Sequence, residues 1–534
     1  MERRTMIKMT AAGLATLAQA GGSAAQSVRS AQPSFELEEA TVTQLQADMR
    51  SGARTSASIV QLYLARCDAI DKAGPAINAI IERNPDALAI AEALDRERRD
   101  KGERGPLHGI PVLLKDNIDT ADKMRTSAGS LALAESIAPR DAHVAEKLRA
   151  AGCVIMAKTN LSEWANFRGA RSTSGWSGRG GQTHNPYALN RNTSGSSSGS
   201  GAGIAANLCA IAVGTETDGS IVSPSSTCGL VGLKPTVGLV SRAGIIPIAT
   251  SQDTSGPMTR SVADAASLLT ALAGPDPRDP ITATAQGHRH PDYTKFLDPA
   301  GLKGARIGVA RDFFGVNDRL DGVIETAIAA MKDAGAVVVD PVRIAHLSKL
   351  GEFELEVLYF EFKAGLDAYL RDAGAGASVR SMAELIAWNE RNAATEMRYF
   401  GQERLTTSQK KGPLTDPAYR RAVAKCRQYS RTLGIDATLA KHRLDALVAP
   451  TGGPAWLTDY INGDHYVTSC SEPPAVAGYP HITVPAGLIS GLPVGVSFFA
   501  SAWSEPTLLK FAYAYEQATK MRRPPQFLAT APIG

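Results

Sequence analysis

GSSSGSGAGIAANLCAIAVGTETDGSIVSPSSTCGLVGLK occupies residues 195–234, and the rest of the chain is organised around it. Three consecutive serines, residues 196–198, stand in a glycine-rich loop, and a second glycine–serine turn covers residues 217–220. The small and apolar residues between them, 201–212, predict a buried helix that packs closely on a sheet. Because glycine permits a positive φ, consecutive N–H groups in such turns can point at one spot. Two serine clusters around a buried segment therefore indicate a hydrolase active site.

Composition places the chain among ordinary globular proteins. Apolar residues make up 44% of the 534 residues and charged residues 21%, which is enough for a large core and gives no sign of intrinsic disorder. The formal net charge is only +4, and the chain contains no block of lysine or arginine. Nucleic-acid binding is therefore not expected.

The N-terminus combines a basic start with a weakly apolar stretch. It reads MERRTMIKMTAAGLATLAQAGGSAAQS, in which Arg3 and Arg4 lead and Lys8 closes the basic region. The stretch is too short to span a membrane, so no stable membrane insertion is expected, and it resembles the twin-arginine export signal of bacteria. We therefore predict a signal peptide over residues 1–25, a folded domain over residues 35–534, and a periplasmic or secreted location. The alternative is an ordinary basic, flexible terminus on a cytoplasmic protein.

The six cysteines are scattered without a CxxC pair or the spacing of a metal site, so neither a metal nor a cofactor is expected. Several stand in apolar contexts, which favours buried free thiols. An oxidising compartment would permit disulfides, and the sequence leaves both states open. The cysteines are Cys67, Cys153, Cys209, Cys228, Cys426 and Cys470.

The apolar segments alternate between helical and strand-like patterns. Helices are predicted over residues 41–49 and 56–70, and this pair is expected to form an N-terminal cap. A buried strand over residues 110–114 delivers Lys115 to its end, and a helix over residues 142–151 precedes another buried strand. The alternation predicts an α/β fold, with one large domain whose mixed, twisted β-sheet is covered by helices on both faces.

Three further segments carry specific expectations. Residues 160–194 are polar and rich in glycine, serine, arginine and asparagine, so they either line a site or form a disordered insert. We favour the lining because they lead directly into the serine cluster. Residues 350–440 are helix-rich and predict a helical layer over one end of the site. Asn84 is predicted to cap the helix that follows it, with Pro85 as the first helical residue.

A serine hydrolase needs a hydroxyl, a base that takes its proton, and hydrogen-bond donors for the oxyanion. The chain has nine histidines, but none falls in the two serine clusters. Lys115 can serve as the base if burial lowers its pKa enough to leave the amine neutral. The other interpretation is a lysine that extends from a strand end toward water.

The two serine clusters each allow more than one interpretation. Residues 196–200 could form a flexible linker, or the G-x-S-x-G pattern around Ser197 could form a nucleophile elbow, which needs a strand directly before it. The preceding residues are polar and turn-like, which argues against the elbow. Ser220 follows Asp218 and Gly219 in a tight turn whose N–H groups could form an oxyanion hole, or the turn could be a simple capped loop.

Several motifs together resemble the amidase signature family of serine amidohydrolases. They are GPLHGIPVLLKDNIDT around Lys115, SGSSSGSGAG, GTETDGSIVSPSS, CGLVGLKPT and DTSGPM. The resemblance extends from about Leu45 to the C-terminal helix, and the GTETDGS form is most similar to bacterial peptide amidases, which remove the C-terminal amide of peptides. It implies the α/β fold predicted above, with residues 35–534 as an amidase domain.

The resemblance also implies roles for individual residues. Ser220 would be the nucleophile and Lys115 the base. Ser196 would be the relay between them, because it stands 24 positions before Ser220, the family interval. In the family this relay serine follows a cis peptide bond, here Gly195–Ser196. The oxyanion would be held by the backbone N–H groups of Thr217, Asp218, Gly219 and Ser220.

The function implied is hydrolysis of a carboxamide to carboxylate and ammonia through an acyl-enzyme, with a small-molecule or short peptide amide as substrate. An aryl or fatty acylamidase of the same family is an alternative, as is a non-catalytic amidase-like binding subunit. Two departures from most of the family, Asp218 in place of glycine and Val222 in place of arginine, weaken any transfer of substrate contacts from other branches.

Overall fold

The computed structural model describes residues 35–533, and residues 37–534 form one compact unit. The predicted export signal over residues 1–25 lies outside the described residues and stays a prediction. Within the described part, no helix is both long and apolar enough to cross a membrane.

The strands form one eleven-stranded mixed sheet and a separate small hairpin. The strands are β1 Ile80–Arg83, β2 Pro111–Lys115, β3 Val154–Thr159, β4 Trp176–Ser177, β5 Gly181–Gln182, β6 Ile211–Glu216, β7 Val231–Lys234, β8 Thr254–Thr259, β9 Arg306–Ala310, β10 Val337–Val342, β11 Ala446–Pro450, β12 His481–Ile489 and β13 Leu492–Phe499. The order in the large sheet is β1-β3-β2-β6-β8-β7-β12-β13-β11-β9-β10, and β4 pairs with β5.

Helices flank this sheet, as the alternating pattern predicts. The α-helices are α1 Val42–Ser51, α2 Ser56–Ile70, α3 Ala87–Lys101, α4 His143–Ala150, α5 Ser198–Ala205, α6 Val222–Thr227, α7 Val262–Leu272, α8 Asp318–Asp333, α9 Leu350–Arg371, α10 Met382–Arg391, α11 Ala393–Glu396, α12 Glu403–Gln409, α13 Pro417–Arg427, α14 Asp436–His442, α15 Glu472–Ala477 and α16 Glu505–Thr519. Short 3₁₀ turns cover Leu131–Leu133, Glu163–Asn166, Pro280–Ala285, Tyr293–Phe296, Arg311–Phe313 and Leu347–Lys349, and a π-helical segment covers Gln428–Ile435.

The two predicted N-terminal helices are confirmed as α1 and α2. Thr41 and Thr55 cap them through reciprocal capping boxes, and the first N–H groups of α2 donate to the carboxylate of Asp95 on α3. The predicted cap of α3 is wrong: Asp86 occupies the N-cap position, and the Asn84 side chain accepts from the backbone N–H of Asp86. Asn84 therefore forms a local turn that leads into the helix.

Strands β2, β3 and β6 place the ends of three buried segments side by side. β2 pairs in parallel with both β3 and β6, and Leu114 stands opposite Val213 in the register. All residues of the three strands are buried, which is typical of parallel strands covered on both faces. Lys115 at the end of β2 therefore projects beside the end of β6.

The serine-rich stretch contains a helix whose bounds differ from those predicted from the sequence. The predicted helix over residues 201–212 is wrong in its bounds, because α5 begins at Ser198, ends at Ala205, and is followed by β6. Gly199 and Gly203 lie in α5, and a Cβ at Gly199 would come within 2.2 Å of the Ala79 carbonyl oxygen. The close approach of backbone to backbone explains why this helix is built from small residues.

The segment over residues 350–440 forms the helical layer that its composition indicates. Buried side chains of α9, α10 and α12 pack with Trp164, Phe167 and the apolar residues at 246–249 in one cluster. All six cysteines lie in the described residues, where each is buried and unpaired.

Substituting Gly199→Ala should destabilise the fold, because its Cβ would meet the backbone oxygens of Ala79 at 2.2 Å and Asn160 at 2.6 Å. Overpacking of this kind typically costs about 1–3 kcal/mol in the free energy of unfolding. Urea denaturation followed by circular dichroism measures the change. Gly322→Ala on α8 is the matched control, because no atom lies within 4 Å of its Cβ, and it should be neutral or stabilising by up to about 1 kcal/mol. Equal effects of the two substitutions would contradict the prediction.

Candidate active site

Lys115 is fully buried at the end of β2 and reaches two hydroxyl groups. Its Nζ lies 2.7 Å from Ser196 Oγ, 2.8 Å from Thr215 Oγ1 and 3.2 Å from the Thr215 carbonyl oxygen. The Thr215 hydroxyl also accepts from Asn117 Nδ2 at 3.0 Å. The alternative of a lysine that extends toward water is therefore wrong.

Burial lowers the pKa of Lys115 to about 7, although the charges of Asp253 and Glu216 oppose the shift. A neutral amine has two N–H groups and one lone pair. The Thr215 carbonyl can only accept, and the Thr215 hydroxyl accepts from Lys115 as well as from Asn117, so these two oxygens take the two N–H groups. The lone pair is then left for the hydroxyl proton of Ser196. The geometry suits proton transfer between Lys115 and Ser196.

The first serine cluster is buried and ordered by hydrogen bonds, so the linker interpretation is wrong. Ser196 follows a cis peptide bond, Gly195–Ser196, and its carbonyl accepts from the Ser162 N–H at 3.1 Å. Ser197 Oγ donates to the Thr215 carbonyl at 3.1 Å and accepts from the Thr215 N–H at 3.2 Å. Because this hydroxyl clamps β6 and no strand directly precedes it, Ser197 does not form a nucleophile elbow.

Ser220 stands in the turn between β6 and α6, next to the first cluster. The Ser197 N–H donates to the Ser220 carbonyl at 3.2 Å, which brings the two serine clusters together. Gly219, with φ of +75°, makes the turn. Buried Glu216 fastens it, because one carboxylate oxygen accepts from the Ile221 N–H at 2.8 Å and the Val222 N–H at 3.1 Å.

The backbone N–H groups of this turn are largely free to bind an anion. Within residues 35–533, the N–H groups of Thr217, Asp218 and Ser220 have no hydrogen-bond acceptor. The Gly219 N–H differs, because it lies near enough to the Glu216 carboxylate to lower the pKa of that group. Donors of this kind in a consecutive turn form an anion-binding concavity.

A cleft of about 200 Å³ opens over these groups, and we call it the Ser220 cleft. The polar segment over residues 160–194 lines the cleft through Ala165 and Asn166, which both have positive φ. The lining interpretation of that segment is therefore confirmed. Other residues that line the cleft include Gly195, Thr217, Asp218, Ser220, Glu354, Arg404 and Tyr466.

A second cavity of about 170 Å³ adjoins the Ser220 cleft and shares Ala165, Thr217 and Ile248 with it. It is also lined by Asn117 and Thr215, and Thr215 is in direct contact with Lys115.

Three carboxyl groups lie close to one another at the cleft. Burial raises the pKa of Asp218 to about 6, and it raises that of Glu354 well above the usual range. The pKa of Glu472 rises to about 7, mainly through burial and then through the charge of Asp218. A hydrogen bond from the Ser471 hydroxyl lowers the pKa of Asp218 in part. The raised pKa values favour the protonated, uncharged form of all three groups.

Every site residue expected from the sequence lies at this place, and several more lie there that the sequence did not indicate. Thr215 stands inside the GTETDGS motif, so its position next to the turn was readable, although its contact with Lys115 was not. Glu354, Arg404 and Tyr466 come from distant helices and a loop, and no local pattern marks them.

Comparison with known proteins decides the family. The sequence profile of the Amidase family matches residues 58–509, which is most of the chain. The chain belongs to the amidase family. A probable amidase of Arabidopsis thaliana is 41% identical over 504 residues, which cover 93% of each chain.

The structure of this amidase is similar to solved structures of peptide amidases. The native peptide amidase from Stenotrophomonas maltophilia is 53% identical with a TM-score of 0.88, and the match covers 92% of this chain and all of that one. An amidase family protein from Bacillus anthracis is 37% identical with a TM-score of 0.83, over 92% of this chain and 93% of its own. The predicted fold and the prediction of an amide hydrolase are therefore confirmed.

Replacing Lys115 by methionine should change how the stability of the amidase depends on pH. The pKa of Lys115 is lowered in the folded state, so the unfolded chain binds more protons between about pH 7 and about pH 10, and wild-type stability rises across that window. Lys115→Met lacks this gain. Its free energy of unfolding relative to wild type should therefore fall with rising pH, by up to about 1.4 kcal/mol per unit.

Denaturant titrations at several pH values across the window measure this difference. Lys441→Met, on an exposed side chain, is the control and should differ from wild type by the same amount at each pH. A flat difference for Lys115→Met as well would show that Lys115 does not carry a lowered pKa.

Proposed function

We propose that this amidase hydrolyses a carboxamide, the C-terminal amide of a peptide, to carboxylate and ammonia through an acyl-enzyme. Ser220 is the nucleophile, Ser196 the relay and Lys115 the base. The observation that carries the proposal is the fully buried Lys115, whose Nζ lies 2.7 Å from Ser196 Oγ beside the Ser220 turn.

The proposed proton path runs from Ser220 through Ser196 to Lys115. Neutral Lys115 accepts the proton of Ser196, and Ser196 takes the proton of Ser220 as Ser220 Oγ attacks the amide carbon. When the C–N bond breaks, the proton returns through Ser196 to the nitrogen, which leaves as ammonia. A water molecule then attacks the acyl-enzyme, gives its proton to the same relay, and releases the carboxylate with Ser220 restored.

The turn over residues 217–220 supplies the oxyanion hole in this proposal. The N–H groups of Thr217, Asp218 and Ser220 lack protein acceptors within residues 35–533, so a substrate oxyanion can take them without breaking existing bonds. Each important donor of this kind contributes about 2.7–4 kcal/mol to transition-state stabilisation in other hydrolases. The Gly219 N–H faces competition from Glu216, so its contribution is the weakest of the four.

Two observations support the proposed substrate class: the similarity to a peptide amidase and the volume of the Ser220 cleft. The peptide amidase solved with the competitive inhibitor chymostatin is 54% identical to this chain, with a TM-score of 0.89. The Ser220 cleft of about 200 Å³ suits an amino-acid residue better than a long fatty chain. An aryl acylamidase remains the alternative with the same chemistry. The ordered Lys115–Ser196 contact argues against a non-catalytic binding subunit.

Substituting Ser220→Ala should reduce ammonia release from amidated dipeptides by several orders of magnitude and abolish covalent labelling by a fluorophosphonate. Ser198→Ala is the matched control, because that hydroxyl only donates to the Ser194 carbonyl at 2.7 Å, and it should retain activity. Mass spectrometry of the labelled protein locates the adduct. Labelling that persists in Ser220→Ala would refute the nucleophile assignment, and faster turnover of aryl amides than of dipeptide amides would favour the alternative substrate class.

The rate should rise with pH through the pKa of Lys115. The active form is the neutral amine and the pKa is about 7, so kcat/KM should increase roughly tenfold per pH unit below that value and level off above it. Initial rates of ammonia release across the pH range measure the profile. A rate that does not change on the acid side would exclude a neutral lysine as the base.

A further inference from the structure

Arg404 lines the Ser220 cleft, and its guanidinium group makes no hydrogen bond to the described part of the chain. It lies on α12, and its backbone N–H donates to the Arg168 carbonyl. Its Nε is buried without a hydrogen-bond partner. Within residues 35–533, the side chain donates no hydrogen bond and forms no ion pair. A guanidinium has five N–H donors and no acceptor, so this partly buried group at the wall of the cleft has donors available for a ligand oxygen.

The structure orients this group in advance. The guanidinium carbon lies 4.9 Å from the centre of the Phe167 ring, a cation–π contact that holds the group beside the cleft. A buried donor without a partner costs free energy. A ligand oxygen that accepts from this donor therefore gains more binding free energy than an oxygen that binds an exposed arginine.

The carboxyl groups near Arg404 are shifted toward their uncharged form. Glu354 lines the same cleft, and the charge of Arg404 lowers its pKa, but burial and the charge of Asp218 hold it well above the usual range. Glu472 adds a third carboxyl group next to Asp218. In the proposed substrate, a peptide amide, the groups next to the scissile amide are neutral, so the acceptor that the substrate offers to Arg404 is a carbonyl oxygen.

We propose that Arg404 binds the first carbonyl oxygen upstream of the scissile one, which belongs to the residue or acyl group before the amidated residue. This rests on the proposed function, in which the scissile carbonyl lies at Ser220. One residue of extended chain spans about 3.3–3.6 Å, so the next carbonyl upstream falls within a cleft that runs from Ser220 to Arg404. Arg404 then makes the amidase prefer N-acylated amino-acid amides and peptide amides to amides with no upstream carbonyl.

Two amides that differ in this one feature test the proposal. N-acetyl-phenylalaninamide carries the upstream carbonyl, and 3-phenylpropanamide is the same molecule without its acetamido group. Arg404→Met keeps the apolar contact with Phe167 but removes the donors. It should lower kcat/KM for N-acetyl-phenylalaninamide by about 10–100-fold, the usual range for a hydrogen bond to a charged group. It should change kcat/KM for 3-phenylpropanamide and the rate of fluorophosphonate labelling by less than about twofold.

Two further variants complete the design. Arg404→Lys keeps the positive charge and should recover part of the lost rate. Arg421→Met, on an exposed side chain outside the cleft, should match wild type with both amides. Thermal denaturation confirms that each variant is folded.

The outcomes are distinguishable. Unchanged hydrolysis of N-acetyl-phenylalaninamide by Arg404→Met would overturn the proposal. An equal fall in labelling and in hydrolysis would also overturn it, because Arg404 would then act on the turn and not on the substrate. If wild type does not cleave 3-phenylpropanamide, the rate of fluorophosphonate labelling of wild type and of Arg404→Met takes its place as the control. Wild-type protein that is not labelled at Ser220 would refute the proposed function itself.

Discussion

Burying a lysine ammonium without a carboxylate partner costs free energy, and the site of this amidase depends on that cost. Lys115 is fully buried at the end of β2 with only hydroxyl and carbonyl oxygens around it, and burial lowers its pKa to about 7. Distant carboxylates oppose the shift without pairing with the amine. A group that ionises near neutral pH can accept and return a proton in each turnover, whereas an exposed lysine would stay charged.

The parallel strands make this burial possible and determine what the lysine meets. β2 lies between β3 and β6, so the residue at its end reaches Thr215 near the end of β6. Thr215 in turn is clamped by Ser197, whose N–H holds the carbonyl of Ser220. One set of hydrogen bonds thus joins Lys115, the loop at Ser196 and the turn at Ser220. Ser197, the residue at the centre of the G-x-S-x-G pattern, supports the site by holding its neighbours.

Much of this was readable from local patterns. Apolar periodicity and helix–strand alternation predict the α/β fold, the buried strand before Lys115 and the helical layer over residues 350–440, because each pattern reflects burial along a single element. Small and apolar residues over 201–212 indicate close packing, but they could not distinguish the end of α5 from the start of β6, since short apolar runs suit both. The prediction of the α3 cap was wrong for a similar reason, because asparagine suits a turn and an N-cap equally well.

The sequence by itself determined the residue types, the motifs and the family resemblance that points to Lys115, Ser196 and Ser220. Only the tertiary structure decided that the lysine is buried beside hydroxyl groups, that Glu216 holds the turn at Ser220, and that Glu354 and Arg404 reach the same cleft from α9 and α12. The physical reason is that pKa shifts and unpaired charges depend on which groups surround a side chain in space. Those neighbours come from segments far apart in the chain, which no local pattern of residues can specify.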